Sequence, residues 1–203
     1  MVLIENPPSL LAIVALVSYV LGAIPFGIVI TKLFGLDDVR KIGSGNIGAT
    51  NVLRTGSKSA ALATVLLDSG KGLVAVLIAK AYVGNDAAQV AALFAFLGHL
   101  YPVWLGFRGG KGVATLLGTL VALSPVVGLI ALCSWLFTYF VYRISSLSAL
   151  ASSVFTTGLA YFIGYSHLTL LMSVMTILVF WKHRGNIQRL LKGTEPMTTW
   201  SKK

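Results

Sequence analysis

Apolar stretches near residues 9–34, 59–83, 87–106, 109–124, 125–142, 147–164 and 166–181 follow one another with only short polar loops between them. A helix crossing a bilayer needs about 20 mostly apolar residues. Inside lipid the backbone must satisfy its own polar groups, so a chain of this pattern is confined to a helix bundle. We expect an all-α fold: a polytopic membrane helix bundle of about seven transmembrane helices, with residues 1–203 forming a single domain. The fourth stretch is the weakest, because its unbroken apolar part is only Val113 to Leu123. About five or six spans with re-entrant pieces is the alternative count. The chain begins Met1-Val2-Leu3-Ile4-Glu5, with no basic residue ahead of its first apolar run. That run is longer than a signal-peptide core of about 7–15 residues, so a retained first helix is expected.

The charges follow the same alternation. Arg40, Lys41, Arg54 and Lys58 fall in the first loop, Arg108 and Lys111 in the third, and Arg143 in the fifth. Lys182, Arg184, Arg189 and Lys192 follow the last stretch, while the intervening loops hold no Lys or Arg. Basic loops stay on the cytoplasmic side, which places the N-terminus outside and the C-terminus in the cytoplasm. A net charge of +10 could suggest nucleic acid, but no soluble basic domain carries it. The cations sit in short loops, where they serve topology and attract anionic lipid or substrate. Cys133 is the lone cysteine, lies in an apolar stretch and reads as a small apolar filler.

Three polar, glycine-bearing segments interrupt this pattern on the expected cytoplasmic side. The first is Gly43-Ser44-Gly45-Asn46-Ile47-Gly48-Ala49-Thr50-Asn51 with Arg54. The second runs from Gly98-His99 to Arg108-Gly109-Gly110-Lys111-Gly112, and the third is Lys182-His183-Arg184-Gly185-Asn186. Gly43-x-Gly45-x-x-Gly48 matches a dinucleotide fingerprint in spacing, but a membrane helix precedes it instead of a strand. Gly110-Lys111 is followed by Gly112 where a phosphate-binding P-loop needs Ser or Thr. What the segments offer is bare backbone N–H, hydroxyls, amides and cations, a combination that can cradle phosphate. The competing reading of each is an ordinary polar turn on the basic side.

Asp68 and Lys71 lie within the second apolar stretch at a spacing that pairs them on one helix face. Charges at that depth mark either a functional site or a structural ion pair. A His-x4-Asp acyltransferase motif is excluded, because Trp104, Met172 and Gln188 stand where aspartate would be required. His167 reads as structural, while His99 and His183 remain candidates. No spacing suits a metal site, and no cofactor is expected.

Taken together, the three segments resemble the acyl-phosphate:glycerol-3-phosphate acyltransferase family of bacterial membranes. Leu67-Asp68-Ser69-Gly70-Lys71-Gly72, Gly193-Thr194-Glu195 and, more loosely, Tyr142-Arg143-Ile144-Ser145-Ser146-Leu147-Ser148 add to the likeness. The resemblance implies transfer of a fatty acyl group from acyl phosphate to the 1-hydroxyl of sn-glycerol 3-phosphate. Lysophosphatidic acid and inorganic phosphate would be released, as the first step of phospholipid biosynthesis. It also implies a functional link to the enzyme that makes acyl phosphate, and a multi-pass protein of the bacterial cytoplasmic (inner) membrane with its active site on the cytoplasmic face.

Carried onto this sequence, the resemblance gives His183, Asn186, Lys111 and Ser44 as catalytic residues. The substrate site would comprise Ser44, Gly45, Asn46, Thr50, Asn51, Arg54, Asp68, Lys71, His99, Arg108, Gly109, Gly110, Lys111, Gly112, Ser146, His183, Arg184 and Asn186. Two phosphates meeting at one carbonyl repel each other, so several cations and N–H donors are needed around them. A mixed anhydride has a good leaving group, so direct attack without an acyl-enzyme is expected. The hydroxyl proton has three possible acceptors: His183, His99 or a substrate phosphate oxygen. The alternative from the residues is an organophosphate or lipid transporter, which would show polar groups at mid-membrane and related halves.

Overall fold

The computed structural model describes residues 6–198, so the Met1–Glu5 stretch lies outside the described residues. Ten α-helices and four short 3-10 turns make up the regular structure there. The helices are α1 (Pro8–Gly22), α2 (Phe26–Leu33), α3 (Ala49–Val52), α4 (Lys58–Tyr82), α5 (Asn85–Leu100), α6 (Val113–Leu123), α7 (Pro125–Tyr142), α8 (Ser145–Phe162), α9 (Thr169–Lys182) and α10 (Arg184–Leu191).

All seven expected stretches are helical, but they are not equivalent. Among the described residues, four segments are long and apolar enough to cross a membrane: Pro8–Leu33, Lys58–Tyr82, Asn85–Leu105 and Pro125–Tyr142. The first is broken in the middle. Pro25 has no N–H to offer and ends the α1 helix ahead of it, so the expected single helix over 9–34 becomes α1 and α2. The carbonyls freed at the break are not left bare: Trp104 Nε1 donates to Ala23 O at 2.8 Å and Lys71 Nζ donates to Ile24 O at 2.7 Å. Helix α6 has 11 residues and a length of roughly 16 Å.

Helix starts are specified locally. Ser57 Oγ accepts the Ala60 N–H at the start of α4, and Ser124 Oγ accepts the Val127 N–H at the start of α7, where Pro125 opens the helix. Packing follows the membrane rule that small residues let helix backbones meet. A Cβ on Gly22 would strike the Ala95 carbonyl and one on Gly98 the Tyr19 carbonyl, so α1 lies tight on α5. Gly118 meets the Ser69 carbonyl and Gly72 the Thr115 carbonyl in the same way, locking α6 to α4.

Phe96, Leu100, Leu120, Met175 and Val127 lie in the main core between α4, α5, α6, α7 and α9. A second, smaller core of Ile30, Val39, Ile47, Val52 and Ala60 sits under the first loop and gives it a fixed shape. Large apolar side chains face outward on α1, α4, α7, α8 and α9, as a lipid-facing surface requires. Cys133 is among these exposed positions on α7, not a filler of the interior.

Candidate active site

The first loop is held by one side chain. Asn51 is buried, and its amide nitrogen donates to the carbonyls of Val39 (2.7 Å), Asn46 (2.9 Å) and Ile42 (3.1 Å). Its Oδ1 accepts the Ser44 N–H at 3.1 Å and an Arg54 Nη1–H at 3.2 Å. Gly43 and Gly45 have positive φ (53° and 68°), and a Cβ on Gly43 would meet Asn51 and Arg54. Asn51 therefore organises the loop and aims Arg54, with its own donors already committed.

The second segment turns back on the end of α5. Gly109 N–H donates to Leu100 O at 3.2 Å and Gly110 N–H to His99 O at 3.0 Å. Gly112, at φ 83°, caps α6, whose first residues Val113 and Ala114 line the cavity described below. The unpaired N–H groups of a helix start favour anions. Lys111 Nζ donates to Asn186 Oδ1 of α10. Burial pulls the Lys111 ammonium down to about 8; Arg189, Arg54 and Lys182 act the same way, and Glu195 opposes them.

In the third segment His183 is buried at the α9–α10 junction, with Nδ1 2.8 Å from Val179 O. Burial first, then Lys111, lowers its pKa to about 4, so the ring is neutral near pH 7. A neutral imidazole facing a carbonyl must carry its proton on that nitrogen, which leaves Nε2 as an acceptor. Glu195 closes the group: Oε1 accepts from Ser146 Oγ at 2.7 Å and from Asn186 Nδ2, and Oε2 accepts from Arg189 Nε at 2.7 Å. These hydrogen bonds outweigh partial burial and hold the Glu195 carboxyl below its usual range. Thr50 and Ser145 hydroxyls meet at 3.1 Å, joining the first loop to the start of α8.

These segments surround one cavity of about 1290 Å³. At its polar end stand Ser44, Gly45, Asn46, Thr50, Asn51, Arg54, Arg108, Gly109, Gly110, Lys111, Gly112, Ser146, His183, Arg184 and Asn186. Asp68 and His99 line it from below. Its apolar limb runs between α4 (Val65, Leu73), α6 (Leu117, Gly118, Val121) and α7 (Gly128, Leu132, Leu136). From Val113 to Val121 that limb extends roughly 12 Å along α6.

Of the residues expected at the site, Lys71 alone does not line the cavity. Its Nζ lies 3.0 Å from Asp68 Oδ1 and is committed to the Ile24 carbonyl. Asp68 Oδ1 also lies 3.5 Å from His99 Nδ1, a pairing that sequence spacing does not reveal. Sequence reasoning also missed Glu195, Ser145, Lys182 and Arg189 as lining residues. Glu195, Ser145 and Lys182 stand in segments that carry the family likeness and so were within reach; Arg189 carries no distinguishing pattern.

Chemically, the cavity pairs a cationic, donor-rich mouth with an apolar groove between helices. That suits a molecule with a phosphate at one end and a hydrocarbon chain at the other. Comparison with known proteins points the same way. Residues 12–193 match the family model described as glycerol-3-phosphate acyltransferase. A glycerol-3-phosphate acyltransferase of Cereibacter sphaeroides is 59% identical over 193 residues, covering 95% of this chain and 92% of that one. One from Agrobacterium fabrum is 52% identical over 191 residues, covering 94% and 93%. The crystal structure of PlsY (YgiH), an integral membrane glycerol 3-phosphate acyltransferase in its glycerol 3-phosphate form, is similar with a TM-score of 0.88. It is 38% identical, over 93% of this chain and 96% of that one. The lysophosphatidic acid form of PlsY is similar with a TM-score of 0.85 and 38% identity, over 92% of this chain and 94% of that one.

Proposed function

Because the chain belongs to the glycerol-3-phosphate acyltransferase family and is an acyltransferase, we propose that it uses fatty acyl phosphate as donor and sn-glycerol 3-phosphate as acceptor. The observation that carries this reading is the single cavity in which Arg54, Lys111 and Arg184 meet at the head of an apolar groove. A donor bearing its own phosphate brings a second anion to the site, which is what several convergent cations answer.

The 1-hydroxyl oxygen of glycerol 3-phosphate attacks the acyl carbonyl, forming the new ester C–O bond. The bond from that carbon to the phosphate oxygen breaks, and its electron pair leaves with inorganic phosphate. Lys111 and Arg54 stabilise the phosphates. Ser44 and Asn186 orient the reacting oxygens, and the N–H groups of Lys111 and Gly112 serve the developing oxyanion. Thr50, Ser146 and Arg184 complete the substrate contacts from the first loop, α8 and α10.

Proton transfer follows from the local basicities. The His183 Nε2 lone pair can orient the hydroxyl, but a conjugate acid near pH 4 makes it a weak base. A phosphate monoester has its second pKa near about 6 and is the stronger acceptor. The proton therefore passes to a substrate phosphate oxygen, with no acyl-enzyme between the two substrates.

In this reading all seven apolar stretches cross or enter the cytoplasmic membrane of a bacterium, with the N-terminus outside and the C-terminus inside. The first, third and fifth loops and the C-terminal segment, which that topology puts on one side, do meet at one cavity. Residues 1–203 act as one domain, supplied with donor by an enzyme that makes acyl phosphate.

The test uses purified protein in detergent with sn-glycerol 3-phosphate and either palmitoyl phosphate or palmitoyl-CoA. Lysophosphatidate and phosphate released in equal amounts from the acyl phosphate alone is the expected result. Turnover with the CoA ester alone would replace the donor, and no turnover with either by folded protein would favour transport.

A further inference from the structure

We infer that His99 and Asp68 form a positioning unit for the 108–112 segment, with the His99 ring as the floor under Gly110 and Asp68 as the brace behind that ring. The inference deepens the proposed reaction and rests on it for the identity of the anion that Lys111 meets.

His99 touches the segment twice. Its carbonyl accepts the Gly110 N–H at 3.0 Å, and its ring lies under the Gly110 Cα. A Cβ built on Gly110 would meet Nε2, Cε1 and Cδ2 of His99 before any other atom. Gly110 is not among the positive-φ residues, so alanine is conformationally permitted there and the imidazole is the obstacle. The far edge of the ring is backed by Asp68 Oδ1, 3.5 Å from Nδ1.

Asp68 is itself fixed from two sides. Lys71 Nζ sits 3.0 Å from its carboxylate and is anchored to the Ile24 carbonyl at the α1–α2 break. The backbone carbonyl of Asp68 accepts from Thr115 Oγ1 at 2.9 Å, which pins the first turn of α6. The segment bearing Lys111 thus leaves α5 over His99 and enters α6 beside Asp68, both ends referred to the same turn of α4. Asp68, Lys71 and His99 are only 2%, 4% and 4% exposed, so the brace is shielded from solvent. Because Nε2 lies where a Gly110 Cβ would stand and Lys111 is engaged with Asn186, the pair acts through the loop and not on the reacting atoms. Small displacements of a donor loop are enough to weaken anion binding strongly.

The test is a double-substitution cycle on the full-length protein in detergent, read as KM for sn-glycerol 3-phosphate and kcat with palmitoyl phosphate. Gly110→Ala is expected to raise KM for sn-glycerol 3-phosphate at least tenfold and to lower kcat as well, because the N–H donors of the segment move with it. In a His99→Ala background no ring remains to strike. There, adding Gly110→Ala should change KM less than threefold. Equal penalties in both backgrounds would overturn the inference. So would a hundredfold loss of kcat at unchanged KM in His99→Ala, which would put His99 on the reacting groups. Should His99→Ala not yield folded protein, His99→Asn serves in the same cycle, being shorter than imidazole. Inorganic phosphate affinity, measured by calorimetry on the same four proteins, repeats the cycle without any acyl donor. Failure of the donor assignment is then distinct from failure of the positioning role.

Discussion

Burial draws the Lys111 ammonium down to about 8, and this sets a pH dependence that can be read directly. Below that pH the side chain carries the charge that the proposed reaction sets against a phosphate; above it the charge is lost. In the free enzyme, kcat/KM for glycerol 3-phosphate is expected to fall above pH 8 by up to tenfold per unit. Bound anions favour the charged form, so the same limb in kcat lies at higher pH. Lys111→Arg should remove the limb, since a guanidinium stays charged to about pH 12. A limb unmoved in that variant would assign it to another group. Arg54→Ala and Lys111→Ala should each lower kcat/KM at least tenfold in folded protein. That matches the worth of one charge-assisted hydrogen bond, about 1.5–3 kcal/mol. The sequence pointed to most of the polar residues that line the cavity but not to which of them are already spent. Asn51 looks like a ligand on paper, and only tertiary contacts reveal that its donors serve Val39, Ile42 and Asn46. The His99–Asp68 pairing stayed hidden because it crosses two helices and follows no fixed spacing.

Among the elements, α4 and α6 depend on two glycines, since Gly72 and Gly118 let their backbones touch. Gly118→Val should wedge the helices apart at a cost of about 1–3 kcal/mol or more, seen as a lower thermal midpoint in detergent. Trp104→Phe keeps the ring but leaves the Ala23 carbonyl at the α1–α2 break without its donor. A destabilisation of about 1–3 kcal/mol is expected, and an unchanged midpoint would mean that another donor replaces it. The break was legible in principle, for Pro25 sits inside the first apolar run; hydropathy alone read through it. Helix α8 shows the opposite difficulty. Its Ser152 meets Ser134 of α7 at 2.9 Å and its Thr157 meets Thr176 of α9 at 3.0 Å. Hydroxyls that join helices in the bundle interior lower the apparent hydropathy of a well-packed helix.

For the whole molecule, the expected sidedness makes a prediction about access. In a Cys133→Ser background, Asp37→Cys should react with a membrane-impermeant maleimide only in inverted vesicles. Asn85→Cys and Ser166→Cys, all three sites being exposed, should react only in right-side-out ones. Labelling of Asp37→Cys and Asn85→Cys from the same side would overturn the topology. The alternation of basic and uncharged loops carried most of this picture, because loop charge responds to sidedness while hydropathy responds only to contact with lipid. Finally, Glu195 holds Asn186, and through it Lys111, from a position that follows all ten described helices. During synthesis the first loop and the 108–112 segment are made long before residue 195 leaves the ribosome. A growing chain therefore has its cationic segments before it has the carboxylate that fixes Asn186, and on the proposed reading a chain cut short of Glu195 should turn over substrate more slowly than the full one.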